Sequence, residues 1–271
     1  MKDVNSIWER PITLSDVQPL LTPGMVQSAE KQLGYRLPAA YIELMKKQNG
    51  GNIRCGLRDE DYNHTRIFGI GPNENSITNN EFLPSIPHGL IPFDGLAHWC
   101  LCLDYRKDPD TPSVVHIELE SGIIKSEETI APTFSEYLEQ LIIVEEVEIF
   151  VVETTTPIGE VVRIISTVLG TPIRPHFSAG DLHYFGFHGE NDVRIYLHGN
   201  KVPKYHQEEF LPEHAAERDD LNASILRHPE VDENYVFLEI ENEEYEGQRQ
   251  EMVQNFRDAG LIINSLNHYL S

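Results

Sequence analysis

Between Trp99 and Asp104 the chain alternates Trp99, Leu101 and Leu103 with Cys100, Cys102 and Asp104. A strand that is apolar on both faces has to be covered on both sides, so this segment is predicted to run through the interior of a sheet. Lys107 to Pro112 then makes a polar turn, Ser113 to Leu119 supplies a second strand, and Ser121-Gly122 turns the chain again. An antiparallel meander follows from that order.

Helix signals stand on either side of it. Thr22-Pro23 offers an N-cap followed by proline, after which Met25, Val26, Ala29 and Leu33 recur at helical spacing up to Gly34. Leu37-Pro38 opens a second helix with Tyr41, Leu44 and Met45 on one face, and Asn49-Gly50-Gly51 is read as its end, because these residues tolerate left-handed backbone angles. Thr133 and Glu136 form a capping-box pattern ahead of Phe134, Tyr137, Leu138 and Leu141. From Ile53 to Ile91 glycine, proline and asparagine predominate, which reads as loop with one strand at Thr65 to Ile70.

Val147 to Val152 is β-branched and Thr154 to Pro157 resets the chain, which places a domain boundary at about residue 145. The remainder reads as strand (Glu148 to Val152), helix (Pro157 to Leu169), two strands (Leu182 to His188, Val193 to His198), a long polar stretch, strand (Tyr235 to Ile240) and helix (Tyr245 to Ala259). Within the polar stretch, Ala215 to Leu226 carries a weak helical pattern. The expected architecture is α+β: an antiparallel sheet flanked by helices in residues 1–145, then a second small α+β domain in residues 146–271.

Composition excludes several classes of function. The 271 residues hold 21 Lys and Arg against 44 Asp and Glu, a formal charge of -23, which disfavours nucleic acid and anionic lipid and suits a basic partner. The apolar runs at Leu141 to Val144 and Val161 to Ile165 fall far short of the roughly 20 residues that span a bilayer. Residues 1–10 lack a secretory apolar core, and three cysteines are too few for a disulfide framework, so a cytoplasmic location is expected. On that route the Asn63-His64-Thr65 triplet is no glycosylation site.

Three blocks resemble the Smi/Knr family of the SUKH superfamily. The first runs through Leu33, Gly34, Leu37, Pro38 and Tyr41 to Asn49, Gly50 and Gly51; the second is Ile91-Pro92-Phe93-Asp94-Gly95 leading into Trp99 to Asp104. The third is Pro112 to Ile117 followed by Ala131-Pro132-Thr133-Phe134 and Tyr137-Leu138, so that together they cover about residues 20 to 143. One departure is the turn Asp94-Gly95-Leu96-Ala97-His98, longer and less acidic than the glycine-rich turn of the family. The resemblance implies a protein-binding module: bacterial members are chiefly immunity proteins that neutralise toxins, many of them nucleases, and fungal relatives act in cell-wall regulation. Residues 145–271 resemble nothing that assigns them.

The acidic loop residues Asp59, Glu60 and Asp61, together with Asp94 and Asp104, are the candidate partner contacts, because loops on a rigid scaffold carry interactions. Trp99 joins them as a candidate anchor, although a tryptophan within an alternating apolar strand is more often core. His98, Cys100 and Cys102 share a strand with Cys55 elsewhere, but the paired CxxC spacing of zinc sites is absent, and cysteine fills buried strands as a small apolar residue. No metal ligand and no cofactor is assigned. His183 and His188 lie near Asp181, Glu190 and Asp192, yet no nucleophile elbow or HExxH helix accompanies them, and no catalytic residue is assigned. Glu239, Glu241, Glu243, Glu244 and Glu246 crowd one strand-to-helix junction, either to favour a helix N-terminus or to imitate a phosphate track. The leading expectation is a non-enzymatic immunity protein that covers a basic toxin domain. The alternatives are a regulatory scaffold of the Smi/Knr type and a metal-dependent hydrolase using the histidine-rich second half.

Overall fold

Helix α1 (Pro23–Leu33) is set by its own ends: the Thr22 hydroxyl accepts the Met25 N–H at 3.3 Å, Pro23 takes the first position, and Gly34 closes it at φ +80°. The structure, a computed structural model, describes residues 7–57, 64–79, 86–120, 122–143, 148–179, 182–188, 193–206, 219–241 and 246–270. The described residues up to 143 belong to one unit and those from 148 onward to a second.

In the first unit α2 (Ala39–Lys47) buries Tyr41, Leu44 and Met45. The short strands β1 (Gly51–Asn52), β2 (Cys55–Leu57) and β3 (Arg66–Ile67) precede β4 (Leu90–Leu96), β5 (Trp99–Asp104), β6 (Ser113–Glu120) and β7 (Ile123–Ala131). Then α3 (Phe134–Gln140) leads directly into β8 (Leu141–Ile143). Strands β4 to β7 form an antiparallel meander in sequence order, while β1 pairs with β3 and β2 with β8. All six residues of β5 are buried. Trp99, Leu101 and Leu103 face the helices, where Phe93, Phe134 and Tyr41 meet edge to face at 5.2–5.4 Å. Cys100 and Cys102 face the other way, against Leu90, Val115, Ile117 and Leu119.

Three expectations change here. The segment Asn49-Gly50-Gly51 does not end α2, since the helix stops at Lys47 and Gln48 is already extended at φ -148°. Its work is done across the chain: Asn49 Oδ1 accepts the Ile70 N–H at 2.8 Å, and its amide donates to Pro19 O (2.6 Å) and Ile70 O (2.9 Å). Because Asn49 occupies the backbone groups of Ile70, the strand expected from Thr65 to Ile70 shortens to β3. The capping box of α3 is also half formed, with the Thr133 oxygen accepting the Glu136 N–H while its hydroxyl donates to the Glu136 carboxylate.

The second unit begins with β9 (Ile149–Glu153) and α4 (Ile158–Leu169), followed by β10 (Arg174–Ala179), β11 (Leu182–His188) and β12 (Arg194–Gly199). A small pair, β13 (Lys201–Pro203) and β14 (Ser224–Leu226), comes before β15 (Val236–Glu241), α5 (Glu246–Asp258) and β16 (Ile262–Ser265). Six strands make one antiparallel sheet in the order β10-β11-β12-β15-β9-β16. Both helices bury their apolar stripes on one face of it, Val161 and Ile165 from α4 and Val253 and Phe256 from α5, against Val152, Leu197 and Leu238. Val151, Phe237, Val231 and Leu266 pack on the opposite face. The helical pattern expected from Ala215 to Leu226 is replaced at its end by β14, whose residues ladder with β13; residues 215–218 lie outside the described residues. No helix among the described residues is long and apolar enough to cross a membrane.

Candidate protein-binding surface

Of the residues expected to touch a partner, Asp59, Glu60 and Asp61 lie outside the described residues. Asp94, Trp99 and Asp104 are 2%, 7% and 1% exposed, so the expectation that these three face a partner gives way to interior roles. Trp99 packs in the helix-side core, with its ring 5.9 Å from that of His116. The two aspartates are each held by a basic or ring partner.

Asp94 sits at the bulge of β4, where the pairing register slips between Pro92 and Asp94, and its Oδ1 accepts the Gly95 N–H at 2.8 Å. Its other oxygen meets Nδ1 of His64, and Nε2 of His64 meets the Tyr137 hydroxyl. A carboxylate accepts only, so Nδ1 carries the proton toward Asp94. Burial, with the Asp94 charge adding to it, pushes the Tyr137 hydroxyl far above its ordinary range. An Asp–His–hydroxyl line can serve a general base, but here all three members are buried and the hydroxyl holds its proton. The group ties β4, the approach to β3, and α3 together.

Asp104, at the end of β5, receives Arg106 as a fork, Nε to Oδ1 at 2.8 Å and Nη2 to Oδ2 at 2.9 Å, plus the Arg106 backbone N–H at 2.9 Å. Burial raises the Asp104 pKa, but the Arg106 hydrogen bonds outweigh it and hold the carboxyl below its usual range. Arg106 also reaches Glu127 on β7 at 2.7 Å, locking the meander across its width.

Exposed chemistry gathers instead where the β4–β5 and β6–β7 turns meet. Leu119 N donates to His98 O at 2.7 Å, which joins the two turns. Leu96 opposes Trp99, Trp99 opposes Glu118, Glu118 opposes Ser126, and Glu120 opposes Ile123; residues opposed in this way share a face. Leu96 (44% exposed) and Ile123 (64%) therefore stand on the same side as Glu118 and Glu120, and Glu128, opposite His116, extends that side along β7. Glu120 is paired with Lys125 at 2.6 Å. Glu118 and Glu120 thus lie on β6 between an exposed apolar side chain on each outer strand, an arrangement that suits a protein partner of opposite charge. No local pattern in the sequence announces it, because Glu118, Glu120 and Glu128 are scattered in number and become neighbours only through strand register.

The cysteines and the second unit offer less. Cys55 belongs to the helix-side core, whereas Cys100 and Cys102 fill the opposite side of β5, so the three sulfurs do not converge. Burial pushes the Cys102 thiol well up, as does its neighbour Cys100. In the second unit the side chains of His183 and His188, with Asp181, Glu190, Asp192, Glu243 and Glu244, lie outside the described residues. Among the described histidines of this unit, His198 and His228 stack on the Phe237 ring at 5.2 and 4.7 Å. Glu239 approaches His198 Nε2 at 2.8 Å and Arg227 at 3.6 Å, and Glu241 approaches Arg194 at 3.6 Å, so two members of the acidic crowd are spent inside the unit.

No curated protein and no solved structure matched the chain. The model of the SMI1 / KNR4 family (SUKH-1) matches residues 20–140, a span that takes in α1, α2, the whole meander and α3, and that leaves the second unit outside. The residues quoted for the resemblance, from Leu33-Gly34 through Asn49-Gly50-Gly51 and Pro92-Phe93 to Phe134, all fall within that span and hold its junctions together. Residues 20–140 thus match the SMI1 / KNR4 family (SUKH-1), the family whose resemblance the sequence carries over that span.

Proposed function

We propose that the chain is a non-enzymatic binding protein of the cytoplasm, an immunity-type antagonist that covers the basic face of a toxin domain, nuclease toxins being the natural class. The observation that carries the reading is the exposed end of the SUKH-1 sheet, where Leu96 and Ile123 share a face with Glu118, Glu120 and Glu128. Carboxylates set between two apolar contacts supply contact energy and fast, charge-steered encounter in one patch. The overall charge of -23 points the same way, since a protein that grips phosphate presents cations to any antagonist. In this reading residues 1–145 form the binding domain, and residues 146–271 a separate α+β domain that enlarges the acidic surface.

The test is capture of partners from the native lysate on the tagged protein at low and raised salt, followed by co-expression of each captured protein with and without this chain. A basic protein held one to one, released by salt and toxic unless this chain is present, is the expected result. A captured protein whose toxicity is unchanged by the chain, or stoichiometric small molecule or metal in place of a protein, overturns it.

A further inference from the structure

β7 is the last strand of the meander. Its inner edge pairs with β6 from Val114↔Ala131 to Glu120↔Ile123, and no described strand pairs with its outer edge. Roughly every second N–H and C=O therefore points away from the sheet; Ile130 O accepts the Gln140 side-chain amide at 3.1 Å, and the stretch before it presents a row of groups complementary to another extended backbone. The side chains decide what such a backbone must carry. Glu128 and Ser126 stand on the face of His116 and Glu118, and Glu127 and Thr129 on the face of Ile117 and Val115, so a carboxylate flanks the edge on each face at mid-strand. Behind them on β6 are Glu118 and Glu120; Arg106 bridges Asp104 and Glu127, and Lys125 pairs with Glu120. Hydrophobic edges invite any strand, including a second copy. This one is polar along its middle, and two copies of a chain carrying -23 repel.

We propose that the outer edge of β7 is the docking line for an extended basic segment of the partner, which adds as a fifth strand with its Lys or Arg residues beside Glu127 and Glu128. The inference deepens the binding reading above and rests on it. Main-chain hydrogen bonds supply the register-independent part of the affinity, the glutamates on both faces select basic side chains, and Ile123 gives the end of the added strand an apolar contact.

The probe is a short synthetic peptide alternating Lys and Arg with Val and Thr, with a Glu-for-Lys/Arg counterpart as control, added to the full chain. The expected result is saturable binding of the basic peptide alone, protection of the amides of residues 123–131 from hydrogen exchange, and weakening of about fivefold or more in Glu118→Gln/Glu128→Gln. Methylating the peptide nitrogens along one edge should abolish binding, and along the other edge leave it. Binding that protects other amides, or is unchanged by the double variant, overturns strand addition while leaving an acidic binding surface in place. No binding of the basic peptide, or a self-associated chain with β7 already protected, overturns it as well. The toxicity readout above judges the immunity reading independently of all these arms.

Discussion

The backbones of Gly50 and Gly69 lie against each other so closely that a Cβ on Gly50 would come within 2.6 Å of the Gly69 nitrogen. Gly50 also sits at φ +85°, and a Cβ on Gly69 would come within 2.4 Å of Asn49 O. This contact holds the end of α2 against the loop that leads out of β3, beneath the core that backs the acidic sheet end.

Gly50→Ala combines a left-handed backbone with a backbone clash, and should destabilise the first unit by about 3 kcal/mol or more in urea unfolding. Gly34→Ala has the same kind of backbone, φ +80°, with nothing within 4 Å, and should cost only about 1 kcal/mol. Equal effects at the two positions would show that the close approach is not maintained in solution.

The same junction shows what could be read from the sequence. Thr22, Pro23 and Gly34 delimit α1 by local chemistry, and the alternation of β5 follows from burial on both faces, so both were legible. β4 was not, because Pro92 and Gly95 look like a turn, yet an edge strand with a bulge accommodates a proline that has no N–H to offer. β7 was hidden for the opposite reason, since Lys125 to Thr129 is uniformly polar and shows no alternation at an exposed edge. The His64, Asp94 and Tyr137 group joins residues 30 and 73 positions apart, a distance no local pattern reports.

Arg106→Ala leaves the Asp104 carboxylate buried without its fork and is expected to cost about 2–4 kcal/mol, with Arg106→Lys recovering less than half because an ammonium cannot bond both oxygens in that geometry. Asp104 is held below its ordinary value in the native protein, so it contributes stability above roughly pH 4 that is lost as the pH falls through the folded value. In the alanine variant burial is opposed only by the backbone N–H of residue 106 and the Lys107 charge, so that value rises. Acid unfolding followed by circular dichroism should therefore move to higher pH, and an unmoved midpoint would refute the assignment.

Tyr137→Phe removes the hydroxyl at His64 Nε2 and should cost about 1–3 kcal/mol, the penalty for a buried polar atom left without its partner. His64→Leu should cost more, because among the described residues Asp94 then keeps the Gly95 N–H alone. The double variant is expected to fall short of the sum, since the three side chains act as one network. Additive losses in guanidinium unfolding would mean that the three are independent.

His198 gives the second unit a pH dependence of defined sign. Its Nδ1 lies 3.0 Å from Gly199 O, and its Nε2 lies 2.8 Å from Glu239 Oε1 and 3.1 Å from Arg227 Nη1. Burial, with the Arg227 charge behind it, lowers the His198 pKa against the opposing pull of Glu239. The unfolded imidazole takes its proton near pH 6.5, before the folded one does, so the unfolded state gains protons first on acidification. Stability is thus complete above about pH 6.5 and declines as the pH falls through the lower folded value, at up to about 1.4 kcal/mol per pH unit. Glu239, also held low in the folded chain, adds a loss of the same sign further down, in the carboxylate range. His198→Gln keeps a polar side chain without the titration and should flatten the slope of the second unit's unfolding between about pH 6.5 and 4.5. His116, lowered by burial in the first unit, leaves its own slope there in the variant. A second-unit slope as steep as that of the native chain would place the titration on a group other than His198.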